Sequence, residues 1–126
     1  MKEIISTDRA PAAIGPYSQA VRSGSLLFLS GQIPLVPGTG AIVAGGIAEQ
    51  ADRVLRNLAA VIEEAGGTLA QVVKTSCFLA DMNDFASFNE VYGRFFMESP
   101  PARETVEVAR LPKDVLVEVS AICAFE

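Results

Sequence analysis

The sequence predicts a single α+β domain: one mixed β-sheet with two helices packed on one of its faces. Three observations carry this reading. An apolar stripe at three- and four-residue spacing runs from Ile47 to Ala65. An aromatic-faced helical segment follows Asp81, and runs rich in apolar and β-branched residues stand before, between and after the two. The 126 residues fit one domain, 1–126, and leave little room for a second.

Taken in order, the first segment closes in Ala10-Pro11-Ala12-Ala13-Ile14-Gly15-Pro16, a loop punctuated by Pro and Gly. Tyr17 to Arg22 reads as a short strand, Ser23-Gly24 as a tight turn, and Leu26 to Ser30 as a buried strand. A long Pro- and Gly-rich loop, 31–46, follows; a loop of that length is expected to be functional or to pack against something. In the first helix, Ile47, Ala51, Val54, Leu55, Leu58, Val61, Ile62 and Ala65 form the stripe, and Gly66-Gly67 ends it. Val72 to Leu79 reads as a strand. Asp81 can cap the second helix, whose face carries Phe85, Phe88, Val91, Tyr92, Phe95 and Phe96 until Pro100-Pro101 stops it. Glu104 to Ala109 and Val115 to Phe125 read as a closing hairpin joined by residues 110–114. A sheet covered on one face only, with its last strand apolar on both, requires a second layer. Self-association would supply it, so a homo-oligomer is expected.

Composition narrows the chemistry. Half the residues are apolar and a fifth charged, an ordinary globular balance. No apolar run approaches the ~20 residues that span a bilayer. The stretch from Met1 to Ser6 includes an acid and no long apolar core, unlike a signal peptide. A soluble cytoplasmic protein with no membrane partner is expected. The net charge of −5 repels phosphate backbones and no Lys/Arg cluster offsets it, so no nucleic-acid partner is expected. The chain has no histidine, which removes Ser-His-Asp and Cys-His catalysis and His-assisted metal sites. Cys77 and Cys123 lie far apart in apolar runs and read as buried core thiols. No metal site and no cofactor are expected. Chemistry must come from carboxylates, hydroxyls, backbone groups, Arg, Lys or Tyr.

Two charges stand out. On the final strand, Glu118 shares a face with Leu116 and Ile122, where a carboxylate must be paired, hydrogen-bonded or held neutral. A structural ion pair or a solvated rim position would equally explain it. Arg103 follows Pro100-Pro101-Ala102, so its guanidinium fork is presented from a stiff backbone and suits bidentate capture of a carboxylate. A surface arginine at a strand start is the alternative. Arg110, Glu107 and Asp114 are accounted for by surface pairing.

The run PPARETVEVARLPKDVLVEVSAI, residues 100–122, closely resembles the C-terminal motif of the RidA/YjgF-like family. The resemblance extends to IGPYSQAV at 14–21, LFLSGQIPL at 27–35 and NDFASFNEVYGRFF at 83–96, in order and over almost the whole chain. It implies a chorismate-mutase-like fold and a homotrimer with active sites in clefts between subunits. It also implies hydrolysis of 2-imino acids, such as 2-iminobutanoate and 2-iminopropanoate formed from 2-aminoacrylate, to 2-keto acids and ammonia. By the same resemblance Arg103 is the carboxylate-binding arginine, Glu118 the glutamate that handles water, and Tyr17 the pocket tyrosine. Ser30 and Gly31 match a pocket segment, and Asn89 the polar residue of the second helix. Thr105 stands where many relatives have cysteine, so no thiol is needed, and Glu104 is an unusual neighbour that would weaken the positive potential at Arg103. The expected mechanism has Arg103 fixing the substrate carboxylate while Glu118 acts as general base, then acid, toward water. Thr105 backbone groups steady the intermediate and Tyr17 closes the pocket. Competing readings are a non-catalytic metabolite-binding or chaperone-like oligomer and, less favoured by charge, an endoribonuclease.

Overall fold

Six strands, β1 (Lys2–Ile5), β2 (Ala20–Ser23), β3 (Leu26–Gln32), β4 (Val72–Leu79), β5 (Ala102–Glu107) and β6 (Val117–Ala124), form one sheet in the order β1-β2-β3-β6-β4-β5. The structure, a computed structural model, describes residues 2–126. Met1, which opens the segment read above as lacking a leader, lies outside them. All neighbouring pairs are antiparallel except β4 and β5, which run parallel. Two helices, α1 (Ile47–Glu64) and α2 (Phe85–Phe95), pack on one face of this mixed sheet, the expected α+β arrangement.

The stripe of α1 is buried as its spacing predicts: Ala51, Val54, Leu55, Leu58, Val61 and Ile62 all join the core. Leu27 and Leu29 of β3, Cys77 and Leu79 of β4, and Val117, Val119, Ala121 and Cys123 of β6 belong to the same core. The helix ends at Glu64, and Gly66 takes the left-handed conformation (φ +89°) that closes it, with Gly67 N–H donating to the Ile62 carbonyl at 3.0 Å. Two polar side chains are buried along α1. Asn57 Nδ2 donates to the Leu35 carbonyl at 3.0 Å and to that of Ile33 at 3.3 Å, and Gln50 Oε1 accepts from Leu116 N–H at 2.8 Å. Strand β3 runs on to Gln32, two residues past its expected end, so these bonds pin a 33–46 loop and the entry to β6 against the helix. The loop therefore packs, as its length suggested.

Three expectations need correction. Strand β1 was not anticipated: it is four residues long and half charged, and pairing with β2 rather than its own pattern makes it a strand. Residues 17–19 are loop, so β2 starts at Ala20. The closing segments are no hairpin. Helix α2 carries the chain back so that β5 lies parallel to β4, and β6 then occupies the other edge of β4. Strands consecutive in sequence are thus separated by one strand in space.

The sheet face away from the helices is open. Leu26, Phe28 and Val106 are exposed on it, and Phe78, Ile122 and Ala124 half-buried. Both thiols are fully buried, and burial pushes each up to about 11, so neither ionises near neutrality.

Candidate functional site

Register decides where the candidate residues go. Arg103 pairs with Thr75 of β4 and Thr105 with Cys77, and both partners point into the helix-covered face. Glu118 pairs with Phe78, an odd number of residues from Thr75, and so points to the open face. Arg103 and Glu118 therefore stand on opposite faces of the sheet. Two strand spacings and three residues of rise also place their backbones roughly 14 Å apart. Within one chain they do not share a pocket. The candidate residues form two half-sites.

The first half-site is built by β5 and α2. The Arg103 guanidinium lies over three rings of α2, with its carbon 4.7 Å from the centroid of Tyr92, 5.6 Å from Phe85 and 5.9 Å from Phe88. Spacing of three and four along a helix puts these rings on one side, facing the start of β5. Among the described residues, no carboxylate lies within ion-pair distance of Arg103. The cation is held by ring quadrupoles, which leave its N–H donors unneutralised. Glu104, next in sequence, makes no ion pair with Arg103. It faces the open side, where it accepts from Ser76 Oγ at 2.6 Å and pairs with Lys74 at 3.1 Å; both contacts hold its carboxyl below the usual range. Thr105 Oγ1 and Asn89 Oδ1 are buried polar atoms with no protein partner. Such atoms are rare in native interiors.

The second half-site is a half-open cleft of about 620 Å³. Its wall includes Tyr17, Ser30, Gly31, Lys113 and Glu118. The strap carrying Tyr17 is fastened by the buried Gln19, whose Nε2 donates to the Pro11 carbonyl at 2.8 Å and to that of Thr7 at 3.1 Å, while its Oε1 accepts from Thr7 N–H at 2.7 Å. Tyr17 itself is 53% exposed, its hydroxyl accepting from Ile14 N–H at 3.3 Å. Ser30 Oγ donates to the Ser18 carbonyl at 2.6 Å, so it ties β3 to the strap. Gly31 lies where the β3–β6 register is interrupted between Leu29 and Gln32. A side chain there would collide with the Glu118 carboxylate, so only glycine leaves that group its place. Glu118 is neither ion-paired nor hydrogen-bonded to protein among the described residues, and burial alone raises its pKa. Neither the ion pair nor a fully solvated rim describes it. Arg110 and Asp114 do form the expected surface pair, at 2.7 and 3.1 Å.

Sequence reasoning missed the aromatic platform. Phe85, Phe88 and Tyr92 read only as an aromatic helix face, and the β4–β5 register shows that Arg103 lies over them. Thr75, a polar residue at a buried strand position, was the one available signal.

A profile of the family described as Endoribonuclease L-PSP matches residues 7–125. A RutC family protein of Pyrococcus abyssi is 57% identical over 96% of this chain and 95% of its own length. Among solved structures, a protein of the conserved Rid family from Yersinia pestis superposes with a TM-score of 0.95 at 44% identity, covering 98% of this chain and 99% of that one. Escherichia coli TdcF with bound serine gives 0.94 at 47% identity, with 98% and 99% covered.

Proposed function

Because the chain belongs to the endoribonuclease L-PSP family, which the Rid/YjgF-like proteins share, we propose that it is a hydrolytic deaminase of 2-imino acids. Its substrates are 2-iminobutanoate and 2-iminopropanoate, its products the 2-keto acids and ammonia, and its setting the cytoplasm. The observation that carries this reading is the partner-free guanidinium of Arg103 on its aromatic platform, complemented by the partner-free carboxylate of Glu118 in a separate cleft. The serine held by TdcF, another small molecule with a carboxylate on C1, accords with it.

The two groups act on one substrate only if two copies of the chain meet. The open face, with Leu26, Phe28, Val106 and Ile122, supplies the apolar surface for that contact. We place the working form as a homotrimer in which the Glu118 cleft of one copy faces the Arg103 platform of the next. Arg103 then grips the substrate carboxylate through two parallel charge-assisted hydrogen bonds, which fixes C2 of the imine. Water adds to C2 while Glu118 takes one of its protons and passes it to the imine nitrogen, giving a neutral carbinolamine. Glu118 then takes the hydroxyl proton as the C=O bond forms and returns it to the nitrogen, so the C–N bond breaks and ammonia leaves. The raised pKa strengthens Glu118 as a base and brings it nearer to neutral pH. Imines hydrolyse unaided, so two well-placed groups suffice. Thr105 and Asn89, with their unpartnered oxygens, lie ready for donors on the substrate or intermediate, and Tyr17 covers the cleft. RNA cleavage fits less well with a histidine-free chain of net charge −5.

Incubation with a pyridoxal-phosphate threonine dehydratase and threonine tests the proposal. Catalytic amounts of the protein should speed the appearance of 2-ketobutyrate beyond the spontaneous decay of the imine. A rate equal to that of the dehydratase alone would reduce the protein to a binding module.

A further inference from the structure

Of the three rings under Arg103, one is tethered. The Tyr92 hydroxyl shares a buried 2.7 Å hydrogen bond with Thr75 Oγ1. Thr75 is fully buried and is the residue that pairs with Arg103 across β4 and β5. The tether thus ties α2 to the sheet at the level of the arginine and sets the height and tilt of the ring that lies nearest the guanidinium. Cys77 Sγ, below Thr105, donates to the same Thr75 oxygen at 3.9 Å, which completes a small buried polar string under the platform. On its other sides Tyr92 is wedged between Phe88, at 5.5 Å, and Phe96, at 4.7 Å.

Packing alone does not call for these hydroxyls. Phenylalanine at 92 and valine at 75 would fill nearly the same space without burying two hydroxyls, and a neutral hydrogen bond returns little more than their desolvation costs. What the pair adds is direction. A guanidinium must offer its fork in one plane to take a carboxylate by two parallel bonds, and no acid beside Arg103 fixes that plane. We propose that Tyr92, locked by Thr75, is a positioning residue that sets the orientation of the Arg103 guanidinium and hence the affinity for the substrate carboxylate. This rests on the imine-hydrolase reading for its kinetic consequence but not for its structural one.

Three variants test it: Tyr92→Phe, which keeps the ring and removes the tether; Thr75→Val, which removes the tether from the other end; and the double variant. Each single change should raise KM for 2-iminobutanoate about fivefold, the scale of one lost neutral hydrogen bond, with kcat within about twofold. The double variant should match either single one, since both cut the same bond. In an Arg103→Ala background Tyr92→Phe should add nothing. A hydroxyl pair that merely supported the fold would lower the melting temperature and leave KM alone, and that result overturns the proposal. The side-chain Nε–H resonance of Arg103 supplies a readout independent of turnover. It should carry a ring-current shift in the wild type and move in both single variants; an unmoved signal also overturns the proposal. A wild type without deaminase activity but with a tether-dependent Arg103 signal would reject the proposed reaction and retain the positioning role.

Discussion

Arg103→Ala should lower kcat/KM for 2-iminobutanoate about a thousandfold while the chain stays folded. The size follows from the loss of two charge-assisted hydrogen bonds together with the orientation they enforce. The tolerance of the fold follows from the surroundings of the side chain. Arg103 is half-exposed at the start of β5 and makes no ion pair, so its removal leaves no buried carboxylate without a partner. Only the contact with the three rings is lost, a cost of about 1 kcal/mol. Arg103→Lys should fall between wild type and alanine, because an ammonium keeps the charge and loses the fork. Steady-state kinetics and a thermal melt on the same samples check both halves of the statement. Activity within threefold of wild type in the alanine variant would remove Arg103 from the site.

Glu118→Gln should show the opposite signs in activity and stability. Loss of the general base should lower kcat by about a hundredfold or more, with a keto acid still bound. The fold should gain. Burial raises the Glu118 pKa above its unfolded value, so the protonated form suits the native state better than the charged one. The stabilisation from that preference is fully present below the unfolded pKa and is lost as pH rises through the higher folded value. Above both values the wild type carries a half-desolvated charge that glutamine lacks. Melting temperatures of the two proteins should therefore converge near pH 4 and separate in favour of the variant toward pH 7 and above. The acid limb of the wild-type kcat profile should vanish in the variant. A variant less stable than wild type at pH 7 would mean that Glu118 has a partner in the working assembly that strengthens its charged form.

Much of the fold was legible because local periodicity sufficed. The α1 stripe, its stop at Gly66 and the β4 run are set by residues near one another in the chain. Strand β1 was not legible, since Lys2 and Glu3 give it no apolar alternation. Nor was the insertion of β4 between β5 and β6, which depends on the crossover made by α2 rather than on either strand. The same limit governs the site. Arg103 and Glu118 could be singled out as charges in unusual settings, but their opposite faces follow from register with Thr75 and Phe78, and register is a long-range property. Gln50 and Asn57 show how two polar residues on a helix can be structural: each satisfies backbone groups of a distant loop. The aromatic face of α2 was visible, but its second use was not, because a ring that fills a core and a ring that carries a cation look alike in sequence.

The placement of sulfur has a consequence for durability. Both half-sites are assembled from Arg103, Glu118, hydroxyls, amides and rings, with the Thr105 hydroxyl two residues after the arginine. The two thiols lie in the core, neither exposed nor ionised, and peroxide attacks the accessible thiolate. On the proposed assignment, peroxide would find no exposed thiolate in either half-site, so the sulfenic, sulfinic and sulfonic ladder that silences thiol-dependent catalysts would lack an accessible first rung here.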